Sequence, residues 1–96
     1  MPQTQERLPT AVDSILELVC NTPLLKVHTL DTGTCDLFLK MESQNPGQSI
    51  KDRIAVTMIE KAEREGFLKQ GVRIIEATAG NTGIALALVA SQKGYE

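Results

Sequence analysis

Apolar and polar positions along the chain fall into short blocks whose spacing changes from one block to the next. In VDSILELV at 12–19, helical spacing puts Val12, Ile15, Leu16 and Val19 on one side, and Pro23 ends any continuation. LLKV at 24–27 reads as a short apolar edge strand, and DTGT at 31–34 as a turn or linker. A strand, loop and helix pattern then occurs twice. LFLKM at 37–41 predicts a strand, ESQNPGQ a turn-rich loop and 50–65 a helix; VRIIE at 72–76 predicts a second strand, ATAGNT a short loop and 83–93 a second helix.

The first of these helices is specified locally. Ser49 suits the N-cap, and Asp52, three positions on, can return a hydrogen bond in the manner of a capping box. Ala55, Met58, Ile59 and Ala62 give one apolar face, Glu60/Arg64 and Lys61/Glu65 are favourable i,i+4 pairs, and Gly66 suits the C-terminal cap. The second helix differs, because Ile84 to Ala90 is apolar all round and predicts cover on several sides. Segment 37–76 has the proportions of a βαβ crossover. The expected fold class is therefore α/β, a partial parallel-sheet βαβα unit preceded by a polar leader at 1–11.

Composition narrows the function classes. With 96 residues, 42% hydrophobic and 23% charged, the chain is at most one domain with a modest core. A net charge of -2 and the lack of a Lys/Arg-rich stripe leave no footprint for nucleic acid. The start has no apolar run of signal-peptide length, and no stretch approaches the roughly 18 apolar residues of a membrane span, so no membrane partner and a cytoplasmic location are expected. Cys20 and Cys35 lack CxxC spacing and are compatible with two buried thiols or a disulfide. His28 is the only histidine, which excludes a His-based metal site or a Ser-His-Asp triad built within this chain.

Parallel strands would bring both following loops and both helix N-termini to the carboxyl edge of one sheet, where open α/β sheets bind ligands. Lys51 falls in the first turn of one helix, Asn81 and Thr82 at the start of the next, and glycines at 47, 80 and 83 permit close backbone approach. A cation at Lys51 opposes the helix dipole by ~0.3 to 1 kcal/mol. Either it is exposed and tolerated, or its amine is used covalently, since lysine forms Schiff bases with carbonyl cofactors. TAGNT at 78–82 likewise has two readings. It is a tight turn capped by Asn81 or Thr82, or an anion site of backbone N–H groups with the Thr78 and Thr82 hydroxyls, suited to a carboxylate. Its spacing matches neither the GxxxxGK(S/T) nor the GxGxxG nucleotide loop.

NTPLLKV at 21–27, NPGQSIKDR at 45–53 and EATAGNTGIALAL at 76–88 together resemble the cysteine synthase and cystathionine beta-synthase family, pyridoxal-phosphate enzymes of fold type II. The resemblance covers nearly all of the chain after its leader, and corresponds to the early portion of a family member. It implies pyridoxal 5'-phosphate as cofactor, with Lys51 as the Schiff-base lysine and Asn81 bonded to the cofactor's phenolic oxygen. Thr78, Ala79, Gly80, Asn81 and Thr82 would form the loop that grips the substrate's α-carboxylate. Ala79 stands where Ser is frequent, Cys20 where glycine commonly precedes NTP, and Gln48 where Gly or another small residue is frequent. These departures are expected to tune substrate preference while removing no reactive group.

The implied activity is β-replacement on an amino acid, cysteine synthase-like, joining O-acetylserine or serine to a sulfur nucleophile. Serine/threonine dehydratase-like elimination, a non-catalytic truncated chain acting through association, and a small anion-binding module are the alternatives. The family's phosphate loop and pyridine-nitrogen residue are expected beyond residue 96, so the chain alone is expected to be a poor catalyst, whether fragment or truncation. Residues 1–36 are expected to pack on a large domain and 37–96 to be an incomplete smaller α/β domain. A homodimer is expected for the full-length enzyme.

Overall fold

Small and branched side chains form the seam between two helices in the computed structural model, which describes residues 10–96. Helix α1 (Lys51–Arg64) buries Ala55 and Ile59, and α2 (Asn81–Lys93) buries Ala85, Leu86, Val89 and Ala90. These residues are the core, with Leu16, Val56, Leu68, Ile74 and Tyr95 packed around it. The predicted face of α1 is only partly used, since Met58 stays 46% exposed. Although apolar all round, α2 buries one side, and Ile84 is 55% exposed. Lys61 and Glu65 form the expected i,i+4 pair at 4.0 Å.

Both helices stop in the same way. Gly66 and Gly94, each at φ +80°, take the left-handed conformation, so that the Phe67 N–H reaches the Ala62 carbonyl and the Tyr95 N–H reaches the Ala90 carbonyl, each at 2.9 Å. The start of α1 departs from expectation. Ser49 Oγ accepts the Lys51 N–H at 3.1 Å, but Asp52 turns to the Gly47 N–H, and the predicted capping box does not form. A capping box does form upstream. Glu17 Oε2 accepts the Ser14 N–H at 3.0 Å, and Ser14 Oγ accepts the Leu16 N–H at 3.2 Å. It begins only a 3-10 turn, Ile15–Leu18, in place of the helix expected over 12–19, because the backbone is extended at Ser14 (φ -135°, ψ 140°) and again at Val19 (φ -72°, ψ 141°), and Cys20 and Asn21 beyond it have positive φ. Of the polar leader at 1–11, residues 1–9 lie outside the described residues.

The expected parallel βαβα sheet is corrected by the strand pairing. Strands β1 (Leu24–Lys26) and β2 (Phe38–Lys40) pair antiparallel, with Leu24 opposite Lys40 and Lys26 opposite Phe38, and make the two-stranded sheet seen among the described residues. Residues 72–76 form no strand. The recorded backbone bonds of that segment run from the Val72 N–H to the Lys69 carbonyl (3.0 Å) and from the Ile74 N–H to the Glu96 carbonyl (2.9 Å). The reason is local closure: the turn at 31–35, held by the Cys35 N–H on the Thr32 carbonyl at 3.2 Å, brings β2 back onto β1. A short antiparallel connection loses less chain entropy than a crossover. VRIIE is left without a strand neighbour. No helix among the described residues is long and apolar enough to cross a membrane.

Candidate functional site

Glu63, near the end of α1, accepts from Lys93 Nζ on Oε1 and from the Tyr95 hydroxyl on Oε2, each at 2.8 Å. Lys93 is the last residue of α2, so the C-terminal ends of the two helices are tied together and the helices run in the same direction. Their N-termini therefore lie at the same end of the pair. Lys51 opens one and Asn81 the other. Co-directional packing thus achieves what the parallel sheet was expected to do, with both positive helix ends facing one side.

Lys51 is half-buried, and its amine makes no hydrogen bond or ion pair with another described residue. In the loop before it, Asn45 is 2% exposed; its Oδ1 accepts the Cys20 N–H at 2.9 Å, and its Nδ2 donates to Glu42 Oε2 at 2.8 Å. Glu42 is the centre of this support. Besides Asn45, it accepts Arg53 Nε on Oε2 at 2.8 Å, Arg53 Nη2 on Oε1 at 2.9 Å and the Thr22 hydroxyl on Oε1 at 2.9 Å. The Arg53 hydrogen bond is the main cause that holds its carboxyl down at about 2, against the partial burial that would raise it. In return the Glu42 carboxylate raises the Arg53 guanidinium further. Lys40 Nζ donates to the Thr22 carbonyl, adding β2 to the same network. Thr22 of NTP, Glu42, Asn45 of NPG and Arg53 are thereby joined into one network in the segments around Lys51 in the chain.

Positive φ explains why glycine would suit two of the positions, Cys20 and Gln48, at which this chain carries a larger residue. Cys20 lies at +72° and Gln48 at +66°, a region glycine enters at no steric cost. Both positions face a backbone demand, whatever else they do. Cys20 and Cys35 are free and exposed, neither buried nor bonded to each other.

The 78–82 loop is organised by Thr78. Its Oγ1 accepts the Gly83 N–H at 3.1 Å and, more weakly, the Gly80 N–H at 3.4 Å, while its methyl lies where a Cβ on Gly83 would have to go. Thr78 Oγ1 thereby caps the third residue of α2, Gly80 at the N-cap has no side chain to add, and the side chains of Asn81 and Thr82 make no hydrogen bond with another described residue. Ala79, Gly80 and Asn81 are exposed. The Asn81 and Thr82 N–H groups, in the first turn, have no intrahelical acceptor. Loop and lysine share one end of the helix pair, but no hydrogen bond joins them. One surface cleft, about 340 Å³, runs past Met58, Phe67, Leu68 and Ile75 and includes neither, while another, about 240 Å³, is bordered by Thr78 and Gly83. No group of three or more His, Cys, Asp or Glu among the described residues could hold a metal ion.

Periodicity did not reveal the Glu42 centre, because its partners Arg53 and Thr22 come from 11 and 20 residues away. The quoted motifs contain Thr22, Asn45 and Arg53, and that co-occurrence was the available signal. Asp52 was visible too, but as a capping partner.

A lysine with an amine unengaged among the described residues and a helix start with unpaired Asn81 and Thr82 N–H groups lie at the same end of one helix pair. Residues 15–96 match the family described as pyridoxal-phosphate dependent enzyme, and the chain belongs to that family. Within it, the chain falls in the cysteine synthase and cystathionine beta-synthase group of fold type II. It is 52% identical over 86 residues to a cysteine synthase of Staphylococcus aureus, covering 88% of this chain and 28% of that protein. It is 48% identical over 90 residues to cystathionine beta-synthase of Rattus norvegicus, covering 91% of this chain and 16% of that one. The crystal structure of a hydrogen sulfide-producing enzyme from Fusobacterium nucleatum superimposes with a TM-score of 0.88 at 47% identity, covering 93% of this chain and 30% of that chain. The chain thus spans less than a third of the length of these relatives.

The residues present fit the cofactor's demands on this part of a site. The Lys51 amine is unengaged, and nothing lies within 4 Å of where a Cβ on Gly80 would stand, so the loop is open on that side.

Proposed function

We propose that the whole protein catalyses pyridoxal-phosphate-dependent β-replacement on a small amino acid, cysteine synthase-like, joining O-acetylserine or serine to a sulfur nucleophile. The carrying observation is the co-directional helix pair, which presents Lys51 and the 78–82 loop at one end. Family membership and the likeness to cysteine synthases support the same reading.

Lys51 Nζ would hold the cofactor through its carbonyl carbon, and as a free amine would take the proton from the substrate's Cα. The bound cofactor supplies an electron sink for the charge that develops there. Asn81 would orient the cofactor through its phenolic oxygen. The Thr78 hydroxyl, which accepts backbone N–H groups, keeps its own proton to donate to a substrate carboxylate, and Thr82 adds a second hydroxyl. The backbone of Ala79 and Gly80 and the first-turn N–H of Asn81 complete that anion cradle. The residues holding the phosphate and the pyridine nitrogen belong elsewhere in the whole protein.

A homodimer and a cytoplasmic location go with this reading. Residues 1–36 would pack on the large domain and 37–96 belong to the smaller one. The test is borohydride reduction of the cofactor-saturated whole protein followed by peptide mapping, with product analysis on O-acetylserine and sulfide. Pyridoxyl label at Lys51 and cysteine as product are expected. Label on another lysine, or a keto acid as the main product, would sink the reading.

A further inference from the structure

Asp52 has no exposed surface, although a carboxylate in a helix's first turn is usually free to meet water. Its Oδ2 accepts the Gly47 N–H at 2.5 Å, closing a ring of chain that contains Lys51. Gly47 lies so close that a Cβ there would overlap both Oδ1 and Cγ of Asp52. The Lys51 N–H is itself held by Ser49 Oγ at 3.1 Å, so the backbone on both sides of the lysine is tied to the preceding loop. Asp52 Oδ1 is buried without a hydrogen-bond partner among the described residues. A helix start held for stability alone needs only the Ser49 bond, whereas a buried carboxylate oxygen without a partner is destabilising. Its presence is explained by placement.

We propose that Asp52 is a positioning residue for Lys51: its clasp on Gly47 fixes the 47–50 segment and with it the point from which the lysine amine projects. This rests on Lys51 being the cofactor lysine. The clasp acts on the backbone and touches no reacting atom.

The test uses the whole protein freed of cofactor, unsubstituted and as Asp52→Ala, Asp52→Asn and Gly47→Ala. Trace acetylation of Lys51, scored by peptide mapping against the exposed Lys69, reports the placement of the amine without any cofactor. The rate at which added pyridoxal 5'-phosphate becomes fixed to Lys51 by borohydride reports the same placement against the ligand. In Asp52→Ala, acetylation relative to Lys69 should rise at least about threefold and pyridoxyl fixation fall at least about tenfold, since small misplacements weigh heavily on reaction rates. Asp52→Asn keeps an oxygen for the Gly47 N–H and should stay within about threefold of the unsubstituted protein on both readouts. Gly47→Ala, which displaces the carboxylate and leaves its charge, should follow Asp52→Ala and provides the answer if that variant does not fold.

Unchanged Lys51 acetylation in Asp52→Ala or Gly47→Ala overturns the proposal. So does an equal loss in Asp52→Asn and Asp52→Ala, because charge and not the clasp would then be responsible. If the unsubstituted protein takes no label at Lys51, the cofactor assignment fails instead, and the acetylation ratios still decide the clasp.

Discussion

Arg53 grips Glu42 at two points, Nε on Oε2 at 2.8 Å and Nη2 on Oε1 at 2.9 Å, and this pair ties the start of α1 to the segment after β2. Both side chains are largely covered, at 32% and 21% exposure. The planar guanidinium matches the carboxylate fork, a geometry lysine cannot copy. Arg53→Lys is therefore expected to lower the thermal midpoint by about 5 °C or more. A midpoint shift under about 1 °C in calorimetry would remove the pair from any structural role.

The same pair sets an acid dependence. The Glu42 carboxyl is lowered from 4.5 to about 2, chiefly by the Arg53 hydrogen bond. A folded value below the unfolded one means the contribution is present above about 4.5 and is lost as pH falls toward about 2. Urea unfolding at pH 7, 5 and 3 should show stability falling mainly in the last interval. Glu42→Gln, which does not titrate, should flatten that fall; an equally steep profile in the variant would mean that other carboxylates set it.

Tyr95 gives the complementary alkaline signal. Its hydroxyl is raised above the ordinary 10, first by the hydrogen bond it donates to Glu63, and Glu63 is lowered, first by Lys93. A raised folded value means this contribution is full below the unfolded pKa and is lost as pH climbs through the folded one. Tyr95 is the only tyrosine of the 96-residue sequence, so ultraviolet titration of this chain reads it alone. Glu63→Gln should bring the transition back toward the ordinary value. If it does not move, the two helix C-termini are not coupled through this bond in solution.

Left-handed backbone at Gln48 (φ +66°) predicts that Gln48→Gly stabilises the fold by about 1 kcal/mol, because relief of the Cβ clash exceeds the added chain entropy. Denaturant midpoints decide this directly. A destabilised Gln48→Gly would show that the Gln48 side chain contributes more than its backbone strain removes.

Gly83 and Thr78 are packed as a unit, with the Gly83 N–H on the Thr78 hydroxyl and the Thr78 methyl over the Gly83 Cα. Gly83→Ala is expected to destabilise by about 1 to 3 kcal/mol through overpacking. The threonine could rotate away only by giving up the hydrogen bond. Thr78→Ser removes the methyl and keeps the hydroxyl, so the double variant should recover part of that loss. Strict additivity in the cycle would deny the contact.

The parts legible in the sequence were those set by neighbours in the chain. The 50–65 pattern foretold α1, Gly66 its end, and LLKV and LFLKM the two strands, because periodicity, short apolar runs and turn residues act over a few residues. Pairing was not legible. Whether β2 takes β1 or VRIIE as neighbour depends on competing closures, and the short turn at 31–35 decided it. The co-directional helices were expected for the wrong reason: a parallel sheet was to align them, and the seam of Ile59, Leu86 and Val89 with the Glu63 tie does so instead. Lys51 stood out by its adverse place at a helix start. Glu42 could not, since an isolated glutamate in a turn-rich loop is indistinguishable from a solvated one.

Removing the Lys51 side chain separates fold from chemistry. Its amine has no partner among the described residues, and its charge opposes the dipole of α1, so Lys51→Ala loses no ion pair and relieves an adverse term of ~0.3 to 1 kcal/mol. Alanine is also a better helix former than lysine. The whole protein carrying Lys51→Ala should therefore unfold at the same denaturant concentration or a slightly higher one, yet take no pyridoxyl label in the 45–53 peptide on reduction. Severe destabilisation would mean that the amine is a structural group with a partner elsewhere in the protein. Label persisting in that peptide would be incompatible with attachment at Lys51, since 45–53 contains no other lysine.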